Sequence, residues 1–189
     1  MPLRTLENSY LADSNSYFRL AKSLHPLLCN PFGKKNHCIF ILRECDEEYS
    51  NSLSLQNKFS WVKSDEFSNN RKKGLLRTSS YDDAIENNIK FIKLYAREKY
   101  INVSQVDIKY LASALELGIV LITDDSGMIK IAEEFEIKIM KSIDVLKLML
   151  DCNYITIEKV KEVTSYWVHT KDTPKDFKVD CSSLFGLKY

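Results

Sequence analysis

A set of acids falls where apolar, strand-like runs give way to helices or turns: Asp13, Glu44, Asp107, Asp124 and Asp125. Asp13 closes the short run Tyr10-Leu11-Ala12, and Asp124 and Asp125 follow the run Ile119 to Ile122. Glu44 stands just past Cys38 to Leu42, and Asp107 lies in the first turn of the helix after Ser104. In parallel α/β sheets, ligands bind outside the carboxyl ends of the strands, which is where these acids gather. No histidine, cysteine or lysine joins them in a comparable position. Crowded carboxylates repel one another unless a cation sits among them. Oxygen-only donor sets suit Mg2+ or Mn2+, and two such ions can activate water and stabilise a leaving oxygen in phosphodiester cleavage. The chemistry indicated is phosphoryl transfer at a hard divalent ion.

Each acid also has an ordinary structural reading. Ser104-x-x-Asp107 fits a capping box, with Asp107 satisfying a helix start. Asp124 and Asp125 suit a helix N-terminus, where negative charge complements the macrodipole. Asp13 reads equally as a turn or N-cap residue, and Glu44 as part of a solvated acidic face with Asp46, Glu47 and Glu48.

The elements that must position these residues are clearest from Val103 to Leu150. Ser104 predicts a helix with Ile108, Leu111, Ala112 and Leu115 on one face, and Gly118 closes it. Ile119 to Ile122 predicts a buried strand. Met128, Ile131, Ala132 and Phe135 restart the helical period. Ile137, Ile139 and Met140 predict another strand, and Ser142 caps a helix carrying Ile143, Leu146 and Leu150. Alternation of this kind predicts an α/β fold with a parallel sheet and right-handed crossovers. Upstream, Tyr10 to Ala12 and Cys38 to Leu42 predict strands, with helices over Ser16 to Leu24 and Arg43 to Tyr49. Ser64 to Ser80, poor in apolar residues, reads as a mobile surface loop. Asp82 to Lys99 reads as a long helix, and Thr156 opens one that runs to Val168. Lys171 to Tyr189, which contains Pro174, reads as irregular. Residues 1–151 are expected to form one domain, with residues 152–189 packed on it as a helix and tail.

Composition bounds the alternatives. The 189 residues carry 27 basic and 26 acidic side chains, a net charge of +1. That balance argues against a protein coating nucleic acid or membrane by bulk charge. The cysteines (Cys29, Cys38, Cys45, Cys152 and Cys181) show neither CxxC spacing nor a Cys/His cluster. Reduced thiols and a cytoplasmic location are expected. The first residues lack the apolar core of a signal peptide, and no run approaches the length needed to cross a bilayer, so no membrane partner is expected.

The acids and their contexts resemble the PIN domain family, a metal-dependent ribonuclease fold. Asp13-Ser14-Asn15 after a strand resembles the family's Asp-x-Asn opening. Leu42-Arg43-Glu44 resembles its second acid, although Glu47 and Glu48 compete for that position. Glu44 and Glu48 share a helical face, so that one can ligate and the other support. Asp107, followed by Leu111-Ala112-Ser113-Ala114 and Gly118, is similar to the third acid. Thr123-Asp124-Asp125 resembles the family's Thr-x-Asp, with Asp125 at the matching position and Asp124 auxiliary. The resemblance spans roughly residues 9–150. It implies a central parallel sheet flanked by helices on both faces, with a helical C-terminal extension beyond it. It also implies Mg2+ or Mn2+ held by Asp13, Asp107, Asp125 and Asp124, with Glu44 positioning metal or water and Asn15, Thr123 and Glu48 in support. The activity implied is hydrolysis of RNA phosphodiester bonds, with an antitoxin protein and a homodimer as expected partners. The alternative is a PIN-like fold that binds RNA or protein without turnover. An aspartate-nucleophile phosphatase would need a second aspartate where Asn15 stands.

Arg71, Lys72, Lys73 and Arg77 form a basic segment that suits an RNA backbone. Between Asn57 and Tyr100 there are 10 basic and 6 acidic residues, a local excess that would hold phosphates near an acidic site. A solvated loop explains the same segment equally well. Phe59 and Trp61 are read as core, and Trp167 and Phe177 as pins for the C-terminal segment.

Overall fold

The computed structural model describes residues 6–189. Four short strands form one all-parallel sheet: β1 (Ser9–Ala12), β2 (Cys38–Phe40), β3 (Val120–Ile122) and β4 (Ile139–Met140), in the order β2-β1-β3-β4. Tyr10 lies between Ile39 of β2 and Val120 of β3, and Leu121 pairs with Ile139 of β4.

Strand side chains alternate between two cores, as a pleated strand buried on both faces requires. Tyr10, Ala12, Ile39 and Ile122 point into one core, while Leu11 and Leu121 point into the other. Helices α1 (Ser14–Ala21), α2 (Glu44–Asn51), α3 (Leu53–Lys58), α4 (Asp65–Lys73), α5 (Asp82–Glu98), α6 (Gln105–Leu117), α7 (Ser126–Glu134), α8 (Ser142–Asp151), α9 (Ile157–His169) and α10 (Phe177–Phe185) complete the chain. The first core is closed by α1, α8, α9 and α10, through residues such as Phe18, Leu146, Val163, Trp167 and Phe177. The second is closed by α5, α6 and α7, through Ile92, Leu111 and Ile131. The architecture is therefore α/β, with helices flanking a parallel sheet on both faces.

Local chemistry sets several boundaries. Ser104 and Asp107 make a reciprocal capping box at the start of α6, and Gly118 ends that helix in the left-handed region at φ 62°. Thr156 caps α9 by accepting from the Lys159 N–H. Ser142, expected as a cap, is instead the first residue of α8. The indole of Trp167, fully buried, donates to the Arg19 carbonyl at 2.8 Å and packs 6.2 Å from the Phe177 ring. The C-terminal helices thus join the core built on the sheet.

Two expectations need correction. Residues 64–80 form a loop only from 74 onward: α4 occupies Asp65–Lys73, with Phe67, Asn70 and Arg71 buried. The Asn70 side chain clasps the backbone of Leu28, accepting its N–H at 3.1 Å and donating to its carbonyl at 2.9 Å. Residues 171–189 are not irregular throughout, because α10 forms there with Phe177 and Cys181 one turn apart and buried. No helix among the described residues is long and apolar enough to cross a membrane.

Candidate active site

The strand order puts β2 on one side of β1 and both β3 and β4 on the other. Chain direction therefore splits between the carboxyl ends of β1 and β3, the place where open α/β sheets form crevices. Asp13 sits there directly after β1. Its N–H continues the ladder to the Ile122 carbonyl at 3.0 Å, and its Oδ1 accepts the Ser16 N–H at 2.6 Å as the cap of α1. The residue is only 3% exposed, and among the described residues no cation is ion-paired with it. Burial pushes its carboxyl up to about 6; the charge on Asp124 adds to this, while Thr123 and the Ser16 amide oppose it.

The neighbouring helix α2 supplies two glutamates with different surroundings. Glu44 is buried and faces Lys109 of α6, whose Nζ lies 2.7 Å from Oε1, with Arg43 Nε at 3.4 Å. Burial raises the Glu44 carboxyl, but the hydrogen bond and charge of Lys109, helped by Arg43, outweigh it and hold the group below the usual range. Glu48, one turn later, accepts a hydrogen bond from the Ser14 hydroxyl beside Asp13. Burial pushes its carboxyl up and the charge on Asp107 pushes the same way, against the Ser14 bond. Asp107 takes the Ser104 N–H on Oδ2 at 2.8 Å. Ser14 thus ties Glu48 to the residue after Asp13, and Glu48 feels the charge of Asp107, giving an acidic surface beside the buried Asp13, while Glu44 turns toward a different cleft.

At the end of β3, Asp124 and Asp125 diverge. Asp124 forms an ion pair with the buried guanidinium of Arg19 and takes the Ser142 N–H at 3.2 Å. Asp125 is exposed and caps α7 by accepting the Met128 N–H at 2.8 Å. Thr123 is buried, and its hydroxyl accepts the Asp125 N–H at 3.1 Å. Asn15 is exposed at the start of α1. The Ser142 hydroxyl is buried, and among the described residues it has no hydrogen-bond partner. Among the described residues, no group of three or more His, Cys, Asp or Glu side chains stands close enough to hold a metal ion among themselves.

The basic segment divides. Arg71 is not available to a nucleic acid: it is 5% exposed, donating from Nε to Asp46 at 2.6 Å and from Nη1 to the Val62 carbonyl at 2.9 Å. Lys72, Lys73 and Arg77 are exposed and line a cleft that also contains Glu44 and Lys109. Sequence reasoning missed Arg19, Ser14, Lys109 and Ser142. Arg19 carried a signal, as a lone cation between Phe18 and Leu20 in an otherwise apolar helical turn, where a charge needs a buried partner. Nothing in the sequence marked the other three. Compared with protein-family models, with curated proteins and with solved structures, the chain matches none.

Proposed function

We propose that the chain is a Mg2+- or Mn2+-dependent endoribonuclease of the PIN type, hydrolysing RNA phosphodiester bonds at the carboxyl edge of its sheet. The observation that carries this reading is the gathering of Asp13, Glu48 and Asp107, carried by three sequence-distant helices, around the switch point of a parallel sheet. The donors are all oxygen, and Asp13 is buried with no ion-paired cation. The Ser142 hydroxyl, without a hydrogen-bond partner among the described residues, is a further buried polar atom at the same edge. These features fit a hard divalent ion, and Mg2+ in particular keeps several waters and needs only one or two direct carboxylates plus substrate phosphate. One or two of Asp13, Asp107 and Glu48 would hold the ion directly and the rest through water, with Asp125 and Asp124 at its rim. When bound, it supplies Lewis-acid stabilisation of charge on the phosphate oxygens.

The remaining residues orient this set. Ser14 fixes Glu48, the Ser104 N–H fixes Asp107, the Ser16 N–H fixes Asp13, and Thr123 holds the Asp125 N–H. Arg19 neutralises Asp124, so that the rim does not add a further uncompensated charge. Glu48 replaces Glu44 as the second acid in this reading, because Glu44 is engaged by Lys109. An inhibitory partner protein and a homodimer belong to the same proposal through the family resemblance.

The test is cleavage of an end-labelled RNA with Mg2+, with Mn2+ and with EDTA, using wild type and Asp13→Asn. Cleavage that requires a divalent ion and falls at least about 100-fold in the variant is expected. RNA left intact with both metals would leave the fold as a binding scaffold, a role for which the Asp124–Arg19 and Glu44–Lys109 pairs already provide charge neutrality.

A further inference from the structure

Beside the acidic surface lies a cleft of 710 Å3 whose walls come from the start of α2, the end of α4, the segment after it, the start of α5 and Lys109 of α6. The segment after α4 is held against the sheet: Ile41 N–H donates to the Gly74 carbonyl at 3.0 Å and Leu76 N–H to the Ile41 carbonyl at 2.9 Å. That pairing places Lys72 and Lys73 before it and Arg77 after it on a fixed frame rather than on a wandering loop. Five cations line the cleft against three acids. Two of those acids are occupied, Glu44 by Lys109 and Asp82 by the Thr78 hydroxyl at 3.2 Å. Lys72, Lys73 and Arg77 have no acidic partner among the described residues. Exposed cations without partners, set in one concavity over the apolar side chains of Leu75, Leu76 and Ile85, suit a ligand with repeated negative charge and apolar faces between the charges.

We propose that this cleft binds the sugar–phosphate backbone of a polynucleotide and delivers it to the acidic edge. Glu44 and Lys109 mark the junction: both line the cleft and pair with each other, and Glu44 stands one helical turn from Glu48 on the same face of α2. The inference rests on the nuclease reading for the identity of its polyanion. It adds where that chain is held: several nucleotides away from the reacting bond, along the cations of this cleft.

The test is a fluorescence-anisotropy titration of a 5′-labelled RNA oligonucleotide in EDTA, where no turnover competes. The triple variant Lys72→Gln/Lys73→Gln/Arg77→Gln is compared with Lys161→Gln/Lys171→Gln/Lys178→Gln, whose exposed lysines lie on or between α9 and α10, against the opposite face of the sheet. Because the cleft residues are exposed, both triples are expected to fold as wild type, which circular dichroism checks. The cleft triple is expected to lose about 30- to 100-fold in affinity near 0.1 M salt, with a shallower salt dependence by about 2 in log–log slope. The second triple is expected to change less than about 3-fold. Equal losses in the two triples, or wild type that does not bind RNA, would overturn the proposal. Cleavage assays separate the two readings. Binding through the cleft without cleavage in Mn2+ would sink the nuclease reading alone, and cleavage by the cleft triple at unchanged KM would sink the cleft alone.

Discussion

Asp13→Asn is expected to stabilise the metal-free protein at about pH 8 and to leave it nearly unchanged at about pH 4. The folded carboxyl titrates at about 6, above its ordinary value of 3.8, so the native state binds that proton more tightly than the unfolded chain. Stability from this group is therefore complete below about pH 4 and is lost as pH rises through about 6. A shift of this size corresponds to about 3 kcal/mol once the group is ionised. Asparagine removes the charge and keeps the cap, since its side-chain oxygen can accept the Ser16 N–H as Asp13 does at 2.6 Å. For a chain of this length the gain reads as roughly 5 to 10 °C in Tm. Urea unfolding of both proteins in EDTA at several pH values gives the answer. The difference between them isolates Asp13 from Glu44, whose depressed carboxyl acts in the opposite sense. Parallel curves across the whole range would mean that Asp13 is solvated and carries no strain for a cation to relieve.

The second large effect is expected at Arg19. Its guanidinium pairs with Asp124, lies 3.5 Å from the Asp172 carboxylate and donates to the Asp172 carbonyl at 2.9 Å, with only 9% of the residue exposed. Arg19→Met leaves Asp124 buried without its partner, which costs about 3 to 5 kcal/mol. Adding Asp124→Asn is expected to recover a substantial part, because the uncompensated charge disappears with it. Denaturant unfolding of the two single variants and the double variant measures this coupling. Strictly additive losses would show that the pair contributes nothing beyond packing.

The fold was legible wherever periodicity and caps agreed. Residues 104–150 carry a helical stripe, a capping serine, a closing glycine and short apolar strands, and each local signal points to the same alternation. Residues 64–80 were not legible, because α4 is held by polar tertiary bonds. Asn70 grips Leu28 and Arg71 grips Asp46 and Val62, and neither contributes to an apolar stripe. α10 failed for a related reason, since Phe177 and Cys181 are the only buried residues in it. At the candidate site, strand ends could be read as places for Asp13 and Asp124. Which glutamate faces Asp107 could not, because Glu44 and Glu48 differ by a single turn and only the placement of Ser14 and Lys109 separates them. The pairing of Asp124 with Arg19 was equally hidden, as it joins residues far apart in the sequence.

The central place of β1 has a consequence for how the chain assembles during synthesis. β1 precedes both of its partners, so Tyr10 must wait for Ile39 on one side and Val120 on the other. A ribosome releases Tyr10, Leu11 and Ala12 long before β3 exists to cover them. Contacts that span so much sequence form slowly and leave apolar strand edges open in the meantime. α6 is a better early nucleus, with a reciprocal cap at its start and its interactions with α5 close by in the chain. β1 can pair with β2 as soon as that strand has emerged, but its other edge stays open until β3 follows.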